Sequence, residues 1–204
     1  MTQTVWVRGA VACAALFLSG CISPRSYVDS GLAQGTYESV VRWREPLQLR
    51  QTVEFQRNGT PFPKAQPILN AAVERTLRGS GVIIPDKEGK NGQITVVVNN
   101  VADTGAAAAQ GFGTGLTLGL VGSTVTDGYE MSLDITANGR TEKVTGVKQA
   151  IHTAIGNTGT PPGVQLTTPD LAFQSAVESM LLSTVRDLQK PGGILIEGVP
   201  MASR

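Results

Sequence analysis

The chain has 204 residues, 17 basic and 16 acidic side chains, and a formal net charge of +1 at pH 7. This balance gives no indication of nucleic-acid binding or of a strongly charged partner, and the length is that of one domain with a sizeable core. Only two cysteines are present, Cys13 and Cys21. Both lie near the amino terminus, so no disulfide is expected in the domain that follows.

The amino-terminal segment predicts a secretory signal peptide over residues 1–20. One basic residue, Arg8, precedes the uncharged run 9–20, which ends in small residues before Cys21. A basic start, a short apolar core and small residues before a cleavage point are typical of a leader that is removed. The apolar run is too short to cross a bilayer as a helix.

The residues at the end of this segment, Leu18, Ser19, Gly20 and Cys21, resemble the lipobox of bacterial lipoproteins. The resemblance implies that Cys21 is acylated, palmitate included, and becomes the first residue of the mature protein. Ile22 stands where lipoproteins kept at the inner membrane often carry aspartate, so the resemblance implies the outer membrane and a periplasm-facing domain. The competing interpretation is a soluble secreted protein with an accidental cysteine.

Residues 21–37 contain several glycines and serines and show no hydrophobic period, which predicts an acylated cysteine followed by a flexible tether. Residues 38–204 then predict a single α/β periplasmic domain. Its first clear element is the alternating strand 47–55. Trp43, just before it, suggests an earlier strand segment over residues 39–44.

Apolar residues at helical spacing between Pro67 and Leu77 predict an amphipathic helix that ends near Gly79 or Gly81. A short apolar segment at 82–84 and a charged turn follow. Residues 93–99 are β-branched and apolar on both parities. This pattern predicts a central strand that is covered on both faces.

The segment 104–126 carries no charge and contains six glycines. Three interpretations compete: a passive loop followed by a buried strand, a hairpin that contacts another subunit or a partner, and an amphipathic hairpin inserted in a membrane. Glycines permit close backbone approach in the second case, and the segment is long enough for two membrane strands in the third. The residues that would contact the partner or membrane are Gly111, Phe112, Gly113, Gly115, Leu116, Leu118, Gly119 and Leu120.

Strict alternation over residues 129–136 predicts the clearest strand of the chain, and Asn138-Gly139 favours a tight hairpin turn. The return strand runs over residues 140–155, with Gly146 as the candidate for a bulge. Thr168, followed by proline and aspartate, then predicts the start of an amphipathic helix that extends to residue 188. Residues 194–196 suggest a short edge strand.

These elements predict an α+β fold, in which a mixed, largely antiparallel sheet of four to five strands carries two amphipathic helices packed on one face. Their order, behind a lipobox, resembles the small outer-membrane lipoproteins of the YajG type. More distantly it resembles the α/β domain shared by the amino-terminal domain of TolB and by curli-export lipoproteins. The residues that carry the resemblance are 18–21, 68–101, 129–155 and 170–188.

His152 is the only histidine of the chain and falls on the return strand. A catalytic role would need a nucleophile and an orienting acid beside it, for which Ser123, Ser132 and Asp134 are the candidates. The plainer interpretation, a surface or partly buried strand histidine, is favoured. We therefore assign no catalytic residue.

No metal and no cofactor are expected. One histidine without a free thiolate excludes a zinc site of the usual type, and the acidic turn 86–91 lacks the spacing of an EF-hand loop. The glycines at 111, 113 and 115 are followed by Leu116 where a dinucleotide-binding loop needs its third glycine.

The sequence thus predicts a non-enzymatic, outer-membrane-anchored lipoprotein that acts as a binding or accessory module of the cell envelope. Its expected partners are the membrane, through the lipid on Cys21, and an envelope protein or glycan, but no nucleic acid. The first alternative is an oligomeric export or secretion component that uses residues 104–126 as a membrane or intersubunit hairpin. The second is an envelope enzyme built around His152.

Overall fold

The computed structural model describes residues 24–101 and 123–196. Two α-helices, seven strands and two short 3-10 helices make up this part of the chain, which confirms the α+β class. In chain order they are β1 (Arg25–Val28), a 3-10 helix (Tyr37–Ser39), β2 (Leu47–Arg57), β3 (Thr60–Pro61), a second 3-10 helix (Pro63–Ala65), α1 (Gln66–Ser80), β4 (Ile83–Pro85), β5 (Gly92–Val101), β6 (Ser123–Ala137), β7 (Arg140–Ile155) and α2 (Pro169–Leu188).

A single mixed sheet joins the strands in the order β1-β7-β6-β5-β2-β3, and β4 pairs with β2 outside this path. β2 is parallel to β4 and β5, and the other pairs are antiparallel. The sheet has seven strands, so the prediction of four to five was wrong in number. The strands that were not predicted are short: β1 has 4 residues, β3 has 2 and β4 has 3. Strands of this length have too few residues to show a clear alternating pattern.

One hydrophobic core lies between the sheet and the two helices. Alternate residues of β2, β5 and β6 point into it, and both helices supply apolar side chains from their inner faces. Fully buried members include Leu49, Ile94, Val96 and Ile135 from the sheet and Leu69, Val73, Leu77, Val177, Met180 and Leu181 from the helices. At about 25 cal/mol per Å² of apolar surface removed from water, this shared face is the main source of stability.

The strand β5 lies between β2 and β6, which confirms its central position. The expectation that both of its faces are covered was wrong. Ile94, Val96 and Val98 are buried, whereas Thr95 and Val97 on the other face are only partly buried. Both described helices pack on the same side of the sheet, and neither covers its second face. We call this second face the open sheet face.

The predicted hairpin is present with its turn and its bulge. Asn138 and Gly139 have φ angles of 51° and 78°, the left-handed values that a two-residue turn of this type requires. The register between β6 and β7 shifts between Met131 and Leu133. Two residues of β7, Thr145 and Gly146, therefore lie opposite the single residue Ser132 of β6. Gly146 has a φ angle of 75° and is the bulge residue.

Both helix boundaries follow the local chemistry that predicted them. Gly81 takes the left-handed conformation that ends α1. Thr168 caps α2, because its hydroxyl oxygen accepts a hydrogen bond from the backbone N–H of Leu171 at 3.4 Å. Among the described residues, no helix is both long and apolar enough to cross a membrane.

Three local expectations were wrong. Residues 25–28 of the predicted tether form β1, which pairs with β7. Residues 39–44 form no strand beyond a single bridge at Trp43. Residues 194–196 form a turn rather than an edge strand, because the Leu195 N–H donates to the carbonyl of Leu188 at 3.0 Å. Gly193 permits this reversal, since a Cβ there would lie 2.2 Å from the same carbonyl oxygen.

The sheet has two distinct ends, which we name by the strand residues that lie there. At the Arg25 end, Ala154 of β7 stands between Arg25 of β1 and Thr124 of β6. At the opposite, Arg140 end, the β6–β7 turn meets the turn before β5, where the Asn138 N–H donates to the carbonyl of Asn91 at 3.3 Å. The helix α2 runs from the first end to the second.

Candidate functional site

Four polar or aromatic side chains meet at the Arg25 end, and we call them the His152 cluster. They are Tyr27 of β1, Asp29 just after it, Thr126 of β6 and His152 of β7. Thr126 and Tyr27 are the direct cross-strand neighbours of His152 on its two sides. Directly opposite residues of a sheet point to the same face, so register alone brings three of the four together.

The imidazole of His152 is held from both nitrogens. Its Nδ1 lies 2.9 Å from Thr126 Oγ1, and its Nε2 lies 3.2 Å from Asp29 Oδ2. The ring of Tyr27 packs against it with ring centroids 5.0 Å apart. The side chains of His152 and Asp29 are 21% and 35% exposed, so this contact is screened by solvent in part.

The carboxylate of Asp29 is stabilised by two neighbours. The backbone N–H of Gly31 donates to Oδ1 at 2.7 Å, and His152 contacts Oδ2. The first of these bonds and then the imidazole lower the pKa of Asp29 below its ordinary value. Asp29 is therefore an ionised group that fixes the end of β1 against β7.

The series hydroxyl, imidazole and carboxylate has the order found in serine hydrolases. That chemistry also needs a cleft for the substrate and donors for an oxyanion. Three cavities lined by described residues, with volumes of about 570, 490 and 280 Å³, include none of the four cluster residues in their lining. The contacts of the cluster hold the end of β1 against β7.

The nucleophile and acid candidates named from the sequence do not reach His152. Ser123 lies opposite Ile155, and Asp134 lies opposite Lys143. Ser132 and Asp134 are several residues further along β6 than Thr126, at about 3.4 Å per residue. The hairpin register sets His152 against Thr126 instead, so the three conceivable partners do not lie beside it.

Thr126 could have been found in the sequence. Counting back from the Ala137–Arg140 pair beside the turn, and allowing one additional residue for the bulge at Gly146, places Thr126 opposite His152. Asp29 could not be found in this way, because β1 was interpreted as tether. Its partner lies 123 positions away in the chain.

A second candidate site is the open sheet face. Polar side chains stand side by side across four consecutive strands in two rows, which are fixed by the strand registers. One row is Thr52, Thr95, Asp134 and Lys143, and the other is Gln56, Asn99, Glu130 and Lys148. Hydrogen-bonding groups and charges of both signs thus line a sheet surface that neither described helix occupies.

The lipobox lies outside the described residues: Leu18, Ser19, Gly20 and the lipidation site Cys21. The predicted contact residues of the insert also lie outside them, namely Gly111, Phe112, Gly113, Gly115, Leu116, Leu118, Gly119 and Leu120. What the structure describes is where the flanking residues lie. Both Arg25, which follows Cys21 closely, and Ser123, which starts β6 within the predicted insert 104–126, lie at the Arg25 end.

Within residues 24–101 and 123–196, no group of three or more His, Cys, Asp or Glu side chains is placed to hold a metal ion. The His152 cluster supplies one imidazole and one carboxylate, which is fewer than a metal site requires.

No protein-family model matches the chain, and no curated protein matches it. Among solved structures, the dodecamer of a PelC point variant from Paraburkholderia phytofirmans is similar over 78% of this chain and 95% of that chain, with 15% sequence identity and a TM-score of 0.32. A likeness at that TM-score supports no conclusion about this chain.

Proposed function

We propose that the protein is a lipid-anchored module of the outer membrane that binds an envelope protein or glycan on its periplasmic side and catalyses no reaction. The observation that carries this proposal is the short distance along the chain between the anchor and the fold. Only Ile22, Ser23 and Pro24 separate Cys21 from Arg25, where β1 begins. A covalent chain of that length spans at most about 14 Å.

An acyl group on Cys21 would therefore keep the Arg25 end within about 14 Å of the anchored cysteine at the bilayer surface. The Arg140 end and the open sheet face would then be directed into the periplasm. Two acyl chains are sufficient for stable attachment, because each buried CH₂ contributes about 0.8 kcal/mol. The polar rows of the open sheet face suit a partner that is recognised through hydrogen bonds and paired charges.

Metabolic labelling with palmitate tests the anchor. We expect label on the wild-type chain and none after Cys21→Ala, because the thiol is the acceptor. Cys13→Ala is the matched control, since it removes the one cysteine of the leader and should leave the label intact. An unlabelled wild-type chain, or equal label after Cys21→Ala, would refute the proposal.

Site-specific photocrosslinking in cells tests the binding face. A photoreactive residue in place of Thr95 probes the open sheet face, and one in place of Asn70, an exposed residue of α1, probes the helical side. We expect a partner adduct from position 95 and not from position 70. The same adduct from both positions would argue against a defined binding face.

A second candidate function is supported by the position of the insert. The described residues on either side of the gap, Val101 of β5 and Ser123 of β6, lie toward the Arg25 end, and Ser123 already belongs to the uncharged segment 104–126. An uncharged segment at that position suits an oligomeric export component with a membrane or intersubunit hairpin. Detergent-extracted protein that runs as a monomer would exclude this function.

The enzyme built around His152 is the weakest of the three proposals. Replacing His152 by alanine removes the imidazole that any acid–base or nucleophilic step would use. We expect this variant to retain the wild-type phenotype wherever the folded protein accumulates normally.

A further inference from the structure

Two exposed leucines flank the start of α2. Leu166 precedes the cap residue Thr168, and Leu171 lies in the first turn of the helix, with exposed fractions of 37% and 51%. Leu166 belongs to the loop 156–167, which follows β7. These two side chains expose apolar surface that the core, on the other side of α2, does not use.

The loop is attached to the strand nearest the proposed anchor. Ser26 of β1 and Thr167 exchange two backbone hydrogen bonds, both of 2.8 Å. Ser26 is the second residue of β1, so the loop residue next to Leu166 sits beside the point where the chain arrives from Cys21. The leucines and the anchor therefore share one end of the molecule.

The two ends differ in the number of charged side chains. The twelve residues 156–167 include none that is acidic or basic, and the exposed Arg25 and Asp170 lie beside them. The Arg140 end, in contrast, carries the charged turn with Asp86, Lys87, Glu88 and Lys90 and the charged end of α2 with Arg186, Asp187 and Lys190. Inserting a charged turn into a bilayer is costly, whereas an uncharged loop with exposed leucines enters the interface at little cost.

We infer that Leu166 and Leu171 form a membrane-contact patch that rests in the lipid interface and, together with the acyl anchor, fixes the orientation of the domain. This inference rests on the proposed acylation of Cys21. The occupant of the patch is a lipid surface, because the short link to Cys21 brings this end of the molecule close to the bilayer. Arg25, next to the patch, is placed to meet anionic headgroups.

The experiment uses the acylated full-length protein in vesicles that contain a lipid with a quencher on its acyl chain. Leu171→Cys introduces a single free thiol, since Cys21 is acylated and Cys13 is removed with the leader, and this thiol is labelled with an environment-sensitive fluorophore. The matched control is Val41→Cys. Val41 is 54% exposed and lies at the other end of α2, where its N–H donates to Gln189 Oε1 at 2.9 Å.

We expect quenching at position 171 to be at least about threefold stronger than at position 41, because an interfacial residue sits about 5–10 Å into the headgroup and acyl boundary. A label at position 166 should behave like the label at 171. Equal or weaker quenching at 171 in protein that carries palmitate and floats with the vesicles would overturn the patch and leave the anchor standing. Protein without palmitate that fails to bind vesicles would overturn both.

Discussion

His152 Nε2 lies 3.2 Å from Asp29 Oδ2, so a side-chain contact joins β7, the last strand of the sheet, to the residue that follows β1, the first. The backbone hydrogen bonds between these strands cover only the four residue pairs from Arg25–Ala154 to Val28–Ile151. The Asp29 N–H extends the contact by donating to the carbonyl of Ala150 at 2.9 Å. An edge strand this short depends on such additional contacts.

The first prediction concerns the pH dependence of this contact. Because the folded state lowers the pKa of Asp29, its carboxylate stabilises the fold above the unfolded-state pKa, and that stability is lost as the pH falls through the lower, folded pKa. Asp29→Asn should therefore cost up to about 1 kcal/mol at pH 7. The difference from wild type should shrink as the pH is lowered below about 4.

Urea unfolding of both proteins at a series of pH values measures this difference. The control is Asp134→Asn on the open sheet face, since Asp134 forms no ion pair within the described part of the chain; its stability change should stay small throughout. A constant penalty for Asp29→Asn from neutral to acidic pH would show that the side chain acts by shape and not by charge.

The second prediction concerns Gly35, which packs against the backbone of α2. A Cβ at this position would lie 2.0 Å from the backbone nitrogen of Ser183 and 2.5 Å from the carbonyl oxygen of Ser179. Gly35→Ala must push the segment away from the helix, at a cost of about 1–3 kcal/mol or more. Gly159→Ala is the control, because a Cβ at that position would have no described heavy atom within 4 Å beyond its chain neighbours.

Thermal unfolding of the two alanine variants should separate them clearly. We expect a lower melting temperature for Gly35→Ala and a wild-type value for Gly159→Ala. Equal melting temperatures would mean that the segment between β1 and β2 does not lie against α2 in solution.

The third prediction compares two leucines of the same helix. Leu181 is fully buried between α2 and the sheet, whereas Leu171 is half exposed. Leu181→Ala should cost about 2–5 kcal/mol, because it removes apolar contacts and leaves a cavity. Leu171→Ala should cost less than about 0.5 kcal/mol, as surface substitutions do. Chemical denaturation in the absence of membranes measures the free energy of unfolding of both variants. Similar losses of stability would contradict the packing of α2 with Leu181 toward the sheet and Leu171 toward solvent.

The fourth prediction concerns Gln66, the first residue of α1. The side-chain amide of Gln66 bonds to backbone groups of β2 much as a paired strand would. Its Oε1 accepts a hydrogen bond from the Phe55 N–H at 3.0 Å, and its Nε2 donates one to the carbonyl of Val53 at 2.6 Å. Gln66→Ala leaves both backbone groups of β2 without these bonds and should cost about 1–3 kcal/mol. Hydrogen exchange at the Phe55 amide should be faster in the Gln66→Ala variant than in the wild type.

Gln66→Glu is the matched variant for this prediction. Its carboxylate can still accept from Phe55, but it cannot donate to Val53 and instead faces that carbonyl oxygen with a negative charge. We expect protection at Phe55 to persist while overall stability falls. If both variants left exchange and stability unchanged, the bridge between α1 and β2 would have no role.

Several elements could be predicted from sequence because their causes are local. The alternation of β6, the Asn138-Gly139 turn, the bulge at Gly146 and the cap at Thr168 each depend on residues within a few positions of one another. The helical stripes were visible for the same reason. The limits of local reasoning appear at β5, whose apolar residues on both parities suggested two covered faces, although the two described helices pack on only one of them.

The sequence by itself determined the hairpin, the two amphipathic helices and the α+β class, since periodicity and turn chemistry act over a few residues. Only the tertiary structure decided that residues 25–28 are an edge strand and that Asp29 meets His152. It also decided that the start of β1, the loop before α2 and the start of β6 share one end of the sheet. These relationships join segments that are far apart in the chain. They depend on which strands together bury one common face, and no local sequence pattern contains that information.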